Sequence, residues 1–337
     1  MSDALLIAAH GSRDEAGVEE FWALADAWRA LRPDRLQAAG FLEFASPTIG
    51  RAIDELVDRG ATRIVVAPAM LMAAGHVKND VPSEVQGARE RHPGVAMPMA
   101  RALDIHPSLI ELCLLRYREA LEGRREVAAD RTLLLLAGRG TSDPDANANI
   151  SRVSRFLWEA TGVGWASVGY TGVTGPSVDE ALAICRRLGY ERIVVQPYFL
   201  FDGVLLKRIG EVAARQAEAD PGVEIITTEH LRLHPLLIQA FEDRAHEAIH
   251  GAPDMNCGVC KYRVRLTGRE ADLGQPQAGH HLAVRAAEDD DDHGHGPRRR
   301  RRRPPVAVPP ADLLSPAEPT PHPWDDRLLA RLALVGG

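Results

Sequence analysis

Short apolar runs recur along the chain with little alternation of apolar and polar positions. They are Leu5–Ala9, Leu36–Phe41, Ile64–Ala67 and Val95–Ala100, then Leu133–Ala137, Trp165–Gly169, Ile193–Gln196 and Val223–Thr227. Runs of this length, rich in Val, Ile and Leu and lacking a period of two, predict strands covered on both faces. Between them the apolar positions fall three or four apart, as in Phe21, Leu24, Trp28 and Leu31, which predicts helices with one buried stripe. Pro47 and Pro176 sit where a first helical turn tolerates proline, and Gly60 and Gly189 where helices stop. Strand and helix in alternation predict an α/β fold with parallel sheets and right-handed crossovers.

The pattern repeats. "RIVVAP" at Arg63–Pro68 returns as "RIVVQP" at Arg192–Pro197, and "SPTIGRAIDELVDRGATR" from Ser46 matches "GPSVDEALAICRRLGYER" from Gly175, both at an offset of 129. "DIHPSLIELC" from Asp104 matches "RLHPLLIQAF" from Arg232 at 128. One offset shared by many matches identifies two copies of one module, 1–125 and 130–250, followed by a tail, 251–337. Two doubly wound modules facing each other leave a central cleft at their strand ends, where such folds bind ligands.

Composition narrows the classes. The net charge of -7 argues against general nucleic-acid binding. No apolar run reaches the length of a membrane span, and no basic region followed by a long apolar stretch marks a leader. Cys113 and Cys185 lie in apolar helical patterns and read as buried thiols. That usage fits the cytoplasm better than a disulfide scaffold.

Candidate chemistry falls at strand ends. His10 follows the first strand, Glu43 the second, and His76 the third after the loop Leu71-Met72-Ala73-Ala74-Gly75. Strand ends of a parallel sheet share one edge, so these three can face one site. Imidazole ligates Co²⁺, Ni²⁺, Fe²⁺ and Zn²⁺, and it titrates near neutrality. A single histidine at a strand end is ordinarily structural or solvent-facing; three metal-capable residues on one edge shift that balance. The second copy is an internal control. His10 is matched there by Arg139, Glu43 by Gly172 and His76 by Leu205, whereas His106 keeps its counterpart in His234. A residue present in both copies is explained by the shared fold, so His106 reads as structural. The site belongs to the first module, and the second supplies a wall of the cleft.

"LLIAAHGSRD", the glutamate of "GFLEFASPT" and "PAMLMAAGHVKNDVP" together resemble the class II chelatases, in the long, two-module form of the sirohydrochlorin cobaltochelatases (CbiX) with their ferrochelatase relatives (SirB). The resemblance implies a chelatase-like fold and insertion of a divalent metal, Co²⁺ by analogy with the long form, into sirohydrochlorin. It implies that His10 accepts protons and binds metal, that His76 is the second metal ligand, and that Glu43 contacts metal or substrate. It places the loop Leu71–His76 against the macrocycle, where Ala73, Ala74 and Gly75 permit close approach. Sirohydrochlorin carries many carboxylates, so Arg13, Arg51, Lys78 and Arg139 are candidate cations, Arg139 facing the substrate across the cleft. Iron or nickel insertion is the nearest rival reading.

The tail carries Met255-x-Cys257-x-x-Cys260, a spacing open to an iron–sulfur cluster, an accessory metal or a redox pair. The resemblance favours the cluster. His280, His281, His293 and His295 beside Asp289–Asp292, then Arg298–Arg303, read as a largely disordered linker, and the final segment "WDDRLLARLALVGG" as a short amphipathic helix. Two other classes stay open: a metal carrier acting through the Cys/His tail, and a flavodoxin-like module, for which "GRGTSD" is a weak phosphate loop. Both a monomer and a homodimer are compatible with the fusion.

Overall fold

The computed structural model describes residues 3–251. In the first module the elements run β1 (Asp3–Ala9), α1 (Glu15–Leu31), β2 (Leu36–Phe41), α2 (Ile49–Asp58), β3 (Arg63–Pro68), α3 (Val81–Arg91) and α4 (Pro107–Leu121). The second repeats the order: β4 (Thr132–Gly138), α5 (Pro144–Thr161), β5 (Trp165–Tyr170), α6 (Val178–Arg186), β6 (Arg192–Pro197), α7 (Val204–Ala219), β7 (Glu224–Thr227) and α8 (Pro235–His250). The sheets are parallel, with strand orders β2-β1-β3 and β5-β4-β6-β7. Their central strands are apolar and buried: Ala4, Leu6 and Ala8 of β1 in one sheet, Leu133 and Leu135 of β4 and Val195 of β6 in the other. No helix among the described residues is long and apolar enough to cross a membrane.

Val95–Ala100 departs from expectation. It makes only isolated bridges, Arg63 with Ala96 and Val66 with Met99, where its counterpart β7 forms a ladder. Pro98 is the reason: it accepts from the Val66 N–H through its carbonyl, at 2.9 Å, but has no N–H to return. Pro47 and Pro176 also differ. They precede the caps rather than opening the helices, since Thr48 and Ser177 accept from the N–H groups of Arg51 and Glu180. Gly60 and Gly189 lie just past helix ends with φ of +88° and +78°, in the left-handed region that suits glycine. Leu31, expected on the buried stripe of α1, is exposed, whereas Phe21, Leu24 and Trp28 are buried.

The two modules exchange their last helices. α4 packs on β6 and α5 of the second module, and α8 packs on β3 and α1 of the first. In the buried interior the Gln196 amide donates to the Cys113 carbonyl at 2.7 Å, and the Arg244 guanidinium donates to the Leu103 carbonyl at 2.8 Å. Trp28 of α1 stacks at a tilt on Phe241 of α8, with ring centroids 5.5 Å apart. Each sheet therefore has one face covered by the other copy's helix. The described residues accordingly fall in one compact unit. Cys113 and Cys185 are buried free thiols, as expected.

His106 and His234 show why the second copy retained this histidine. Each caps a helix: the Nδ1 of His106 accepts from the Ser108 N–H and that of His234 from the Leu236 N–H, both at 3.2 Å. Each precedes a proline at the first helical position, so the cap serves a helix start that both modules share.

Candidate functional site

The parallel pairing of β1 and β2 continues past their last residues. The Leu42 N–H donates to the Ala9 carbonyl and the Glu43 N–H to the His10 carbonyl, at 2.9 and 3.0 Å. This draws the Glu43 backbone so close to Gly11 that a Cβ there would lie 1.7 Å from the Glu43 carbonyl oxygen. Gly11, with φ of +96°, is thus required by backbone contact. The consequence for the side chains is direct: His10 Nε2 lies 3.0 Å from Glu43 Oε1. The Gly11 carbonyl lies 3.0 Å from His10 Nδ1. A carbonyl only accepts, so this bond puts the proton on Nδ1 and makes Nε2 the basic nitrogen.

His76 arrives from the β3 end. It opens a π-helical turn, His76–Asp80, in which the Val81 N–H donates back to the His76 carbonyl. Such turns are uncommon and cluster at functional sites. The turn sets His76 Nδ1 2.7 Å from Asp80 Oδ2. It also brings the His76 ring edge-on to His10, centroids 4.3 Å apart at 84°. A carboxylate on the rear nitrogen fixes the orientation and raises the basicity of a ligating imidazole. Asp80 was not singled out from the sequence, although the H-x-x-x-D spacing places both residues on one helical face.

Both rings line a cleft of about 510 Å³ that is walled by the two modules together, with His10, Met72 and His76 on one side and Arg139, Val173 and Leu205 on the other. Glu43 is not on this wall. It is 5% exposed and stands behind His10. Burial pushes its carboxyl up to about 7, with Arg139 opposing, Asp80 reinforcing and Arg13 opposing. Arg139 is exposed in surface area yet crowded by protein, because it projects into the cleft. Burial lowers its guanidinium from the usual value and Glu43 opposes that; it remains a cation.

Leu71, Met72, Ala74 and Gly75 line the cleft, but Ala73 does not. It is 2% exposed and packs with Val77 and Ala102, because a small apolar side chain at that point of the loop completes the core beneath it. Lys78 is also corrected. It is buried, its Nζ 3.0 Å from Asp143 Oδ2 and 2.8 Å from Asp145 Oδ2 in the second module; two carboxylates have drawn it away from the cleft. Arg51 is exposed on α2 and does not line the cleft, whereas Arg13 does, its guanidinium 4.7 Å from the centroid of the Phe44 ring. Among the described residues no group of three or more His, Cys, Asp or Glu is arranged to hold a metal ion. Cys257 and Cys260, the histidine- and arginine-rich segments and the final amphipathic segment lie outside the described residues.

The family model of CbiX matches residues 4–120 and again 133–248. Over 265 residues the chain is 36% identical to a sirohydrochlorin cobaltochelatase of Priestia megaterium, covering 78% of this chain and 85% of that protein. Over 209 residues it is 31% identical to a sirohydrochlorin ferrochelatase of the same organism, covering 62% and 77%. SirB from Bacillus subtilis with Fe3+ superposes with a TM-score of 0.65 at 26% identity, covering 74% of this chain and 96% of that one. SirB from Bacillus subtilis subspecies spizizenii in complex with cobalt gives 0.63 at 26% identity, covering 74% and 95%.

Proposed function

Because the chain belongs to the CbiX family, we propose that it inserts a divalent metal ion, cobalt, into sirohydrochlorin. The observation that carries this reading is the edge-on contact of His10 and His76 on one wall of a cleft whose other wall presents Arg139. Insertion must bring a partly desolvated cation to four inward nitrogens and remove two pyrrole protons. His10 and His76 hold the ion at the macrocycle, His76 through Nε2 because Asp80 engages Nδ1. Once the ion has passed to the ring nitrogens, the freed Nε2 of His10 accepts the pyrrole protons one after the other. Glu43, beside its Nε2 and poised near neutrality, draws each proton back from the cleft. Arg139 meets a peripheral carboxylate of the substrate. Holding ion and macrocycle together turns an encounter into a positioned step.

Cobalt rests on the stronger likeness to the cobaltochelatase relative, in identity and in coverage. Ligand chemistry does not select it, since imidazole suits Co²⁺, Fe²⁺ and Ni²⁺ alike. The test is an optical assay of purified protein with sirohydrochlorin and each of the three ions. Cobalt is expected to give the highest kcat/KM, and His10→Ala and His76→Ala are expected to lower it by about 10²–10⁴-fold. Equal rates in wild type and both variants would reject the reading. Removing residues beyond 250 separates an enzyme, which keeps chelation, from a carrier acting through its tail, which loses metal binding.

A further inference from the structure

The turn after β2 and the turn after β5 share a costly backbone. The Ala45 N–H donates to the Glu43 carbonyl, and the Thr174 N–H to the Gly172 carbonyl, each at 2.8 Å. The central residues, Phe44 and Val173, have φ of +64° and +66°. Both are γ-turns of the strained hand. A β-branched residue in that region is an outlier, and glycine would relieve it. The fold explains the turn, since both copies keep it. It does not explain the side chains. Val173 is 69% exposed and Phe44 39%, so neither contributes to the core. Both line the cleft, one from each module. Glu43, which precedes Phe44, is matched by Gly172, so the second turn is retained without the carboxylate.

We propose that Val173 and Phe44 are paired apolar clamps that grip the flat faces of the tetrapyrrole from opposite walls of the cleft, with Val173 a binding residue contributed by the second module. This rests on the function proposed above and names how that site recognises its substrate. Two exposed apolar side chains held at strained backbone become buried when a planar ring enters. Around them, Arg13 over the Phe44 ring and Arg139 serve the carboxylate rim. Strain at such positions is a mark of ligand clamps.

The experiment is a fluorescence titration of metal-free sirohydrochlorin into the full chain, wild type against Val173→Gly, Val173→Asn and Val173→Ile, with melting temperature measured in parallel. Glycine fits the turn, and asparagine removes the β-branching of an exposed side chain, so neither variant should lower the melting temperature, while Kd rises about tenfold in both. Val173→Ile should keep affinity within about twofold of wild type. Wild-type Kd in both the Gly and Asn variants would overturn the clamp while leaving the chelatase reading intact. So would weaker binding accompanied by a lower melting temperature, which marks a structural role. Failure of the wild type itself to bind sirohydrochlorin would instead overturn the function reading.

Discussion

Lys78→Met tests how the turn that carries His76 is anchored. Lys78 lies two residues after His76 and is 1% exposed, and its ammonium is shared between Asp143, which is 0% exposed, and Asp145. Burial alone would make the lysine easier to deprotonate, yet Asp145 and Asp143 raise its pKa on balance, so it is held as a cation. Methionine keeps much of the volume and removes the charge. Asp143 would retain one donor, the Asp145 N–H at 3.1 Å, through its capping of α5, but the negative charge of the cluster would be uncompensated. Asp104 would add to the repulsion, since burial and then Asp145 already push its carboxyl up. Breaking a buried pair in this way costs about 3–5 kcal/mol, which for a unit of this size lowers Tm by roughly 6–20 °C. Differential scanning fluorimetry reads it directly. Lys78→Met with Asp143→Asn and Asp145→Asn should recover most of the loss. A Tm change under about 2 °C in the single variant, or a triple variant no better than the single, would refute the argument.

Other outcomes follow from the same geometry. Gly11→Ala should destabilise by more than about 2 kcal/mol and abolish chelation, since its Cβ meets the Glu43 carbonyl at 1.7 Å; denaturant unfolding checks it. Burial lowers the pKa of both His106 and His234, Arg244 reinforcing this in the first and Arg116 in the second. Their capping contribution is therefore complete above the unfolded value near 6.5 and is lost as pH falls below it, so wild-type Tm should drop between pH 7 and 5 by more than that of His106→Asn/His234→Asn. Burial pushes the Cys185 thiol up to about 11 and raises that of Cys113 still further, so in a Cys257→Ser/Cys260→Ser background alkylation at pH 8 should proceed only at the rate of unfolding. Asp80→Asn should weaken Co²⁺ binding by about 10–100-fold, read by isothermal titration, because it withdraws the anion behind His76.

What the sequence by itself determined is the duplicated α/β order, the parallel sheets and the placing of His10, Glu43 and His76 along one sheet edge. These follow from short-range patterning and from the way parallel strands end on one side. The repeat also set His106 apart from the other histidines, since both modules need the helix cap that His106 and His234 supply. Tertiary structure alone decided the rest. Apolar periodicity says that α4 and α8 each bury a face, but not that each covers the other module's sheet, because two sheets of one ancestry offer nearly the same surface. Lys78 meets Asp143 and Asp145 across 65 and 67 residues, and no local pattern predicts such a pairing. Glu43 moved behind His10 and Ala73 into the core because a few degrees of backbone direction in a loop choose between wall and interior, and that choice is made by packing rather than by residue type.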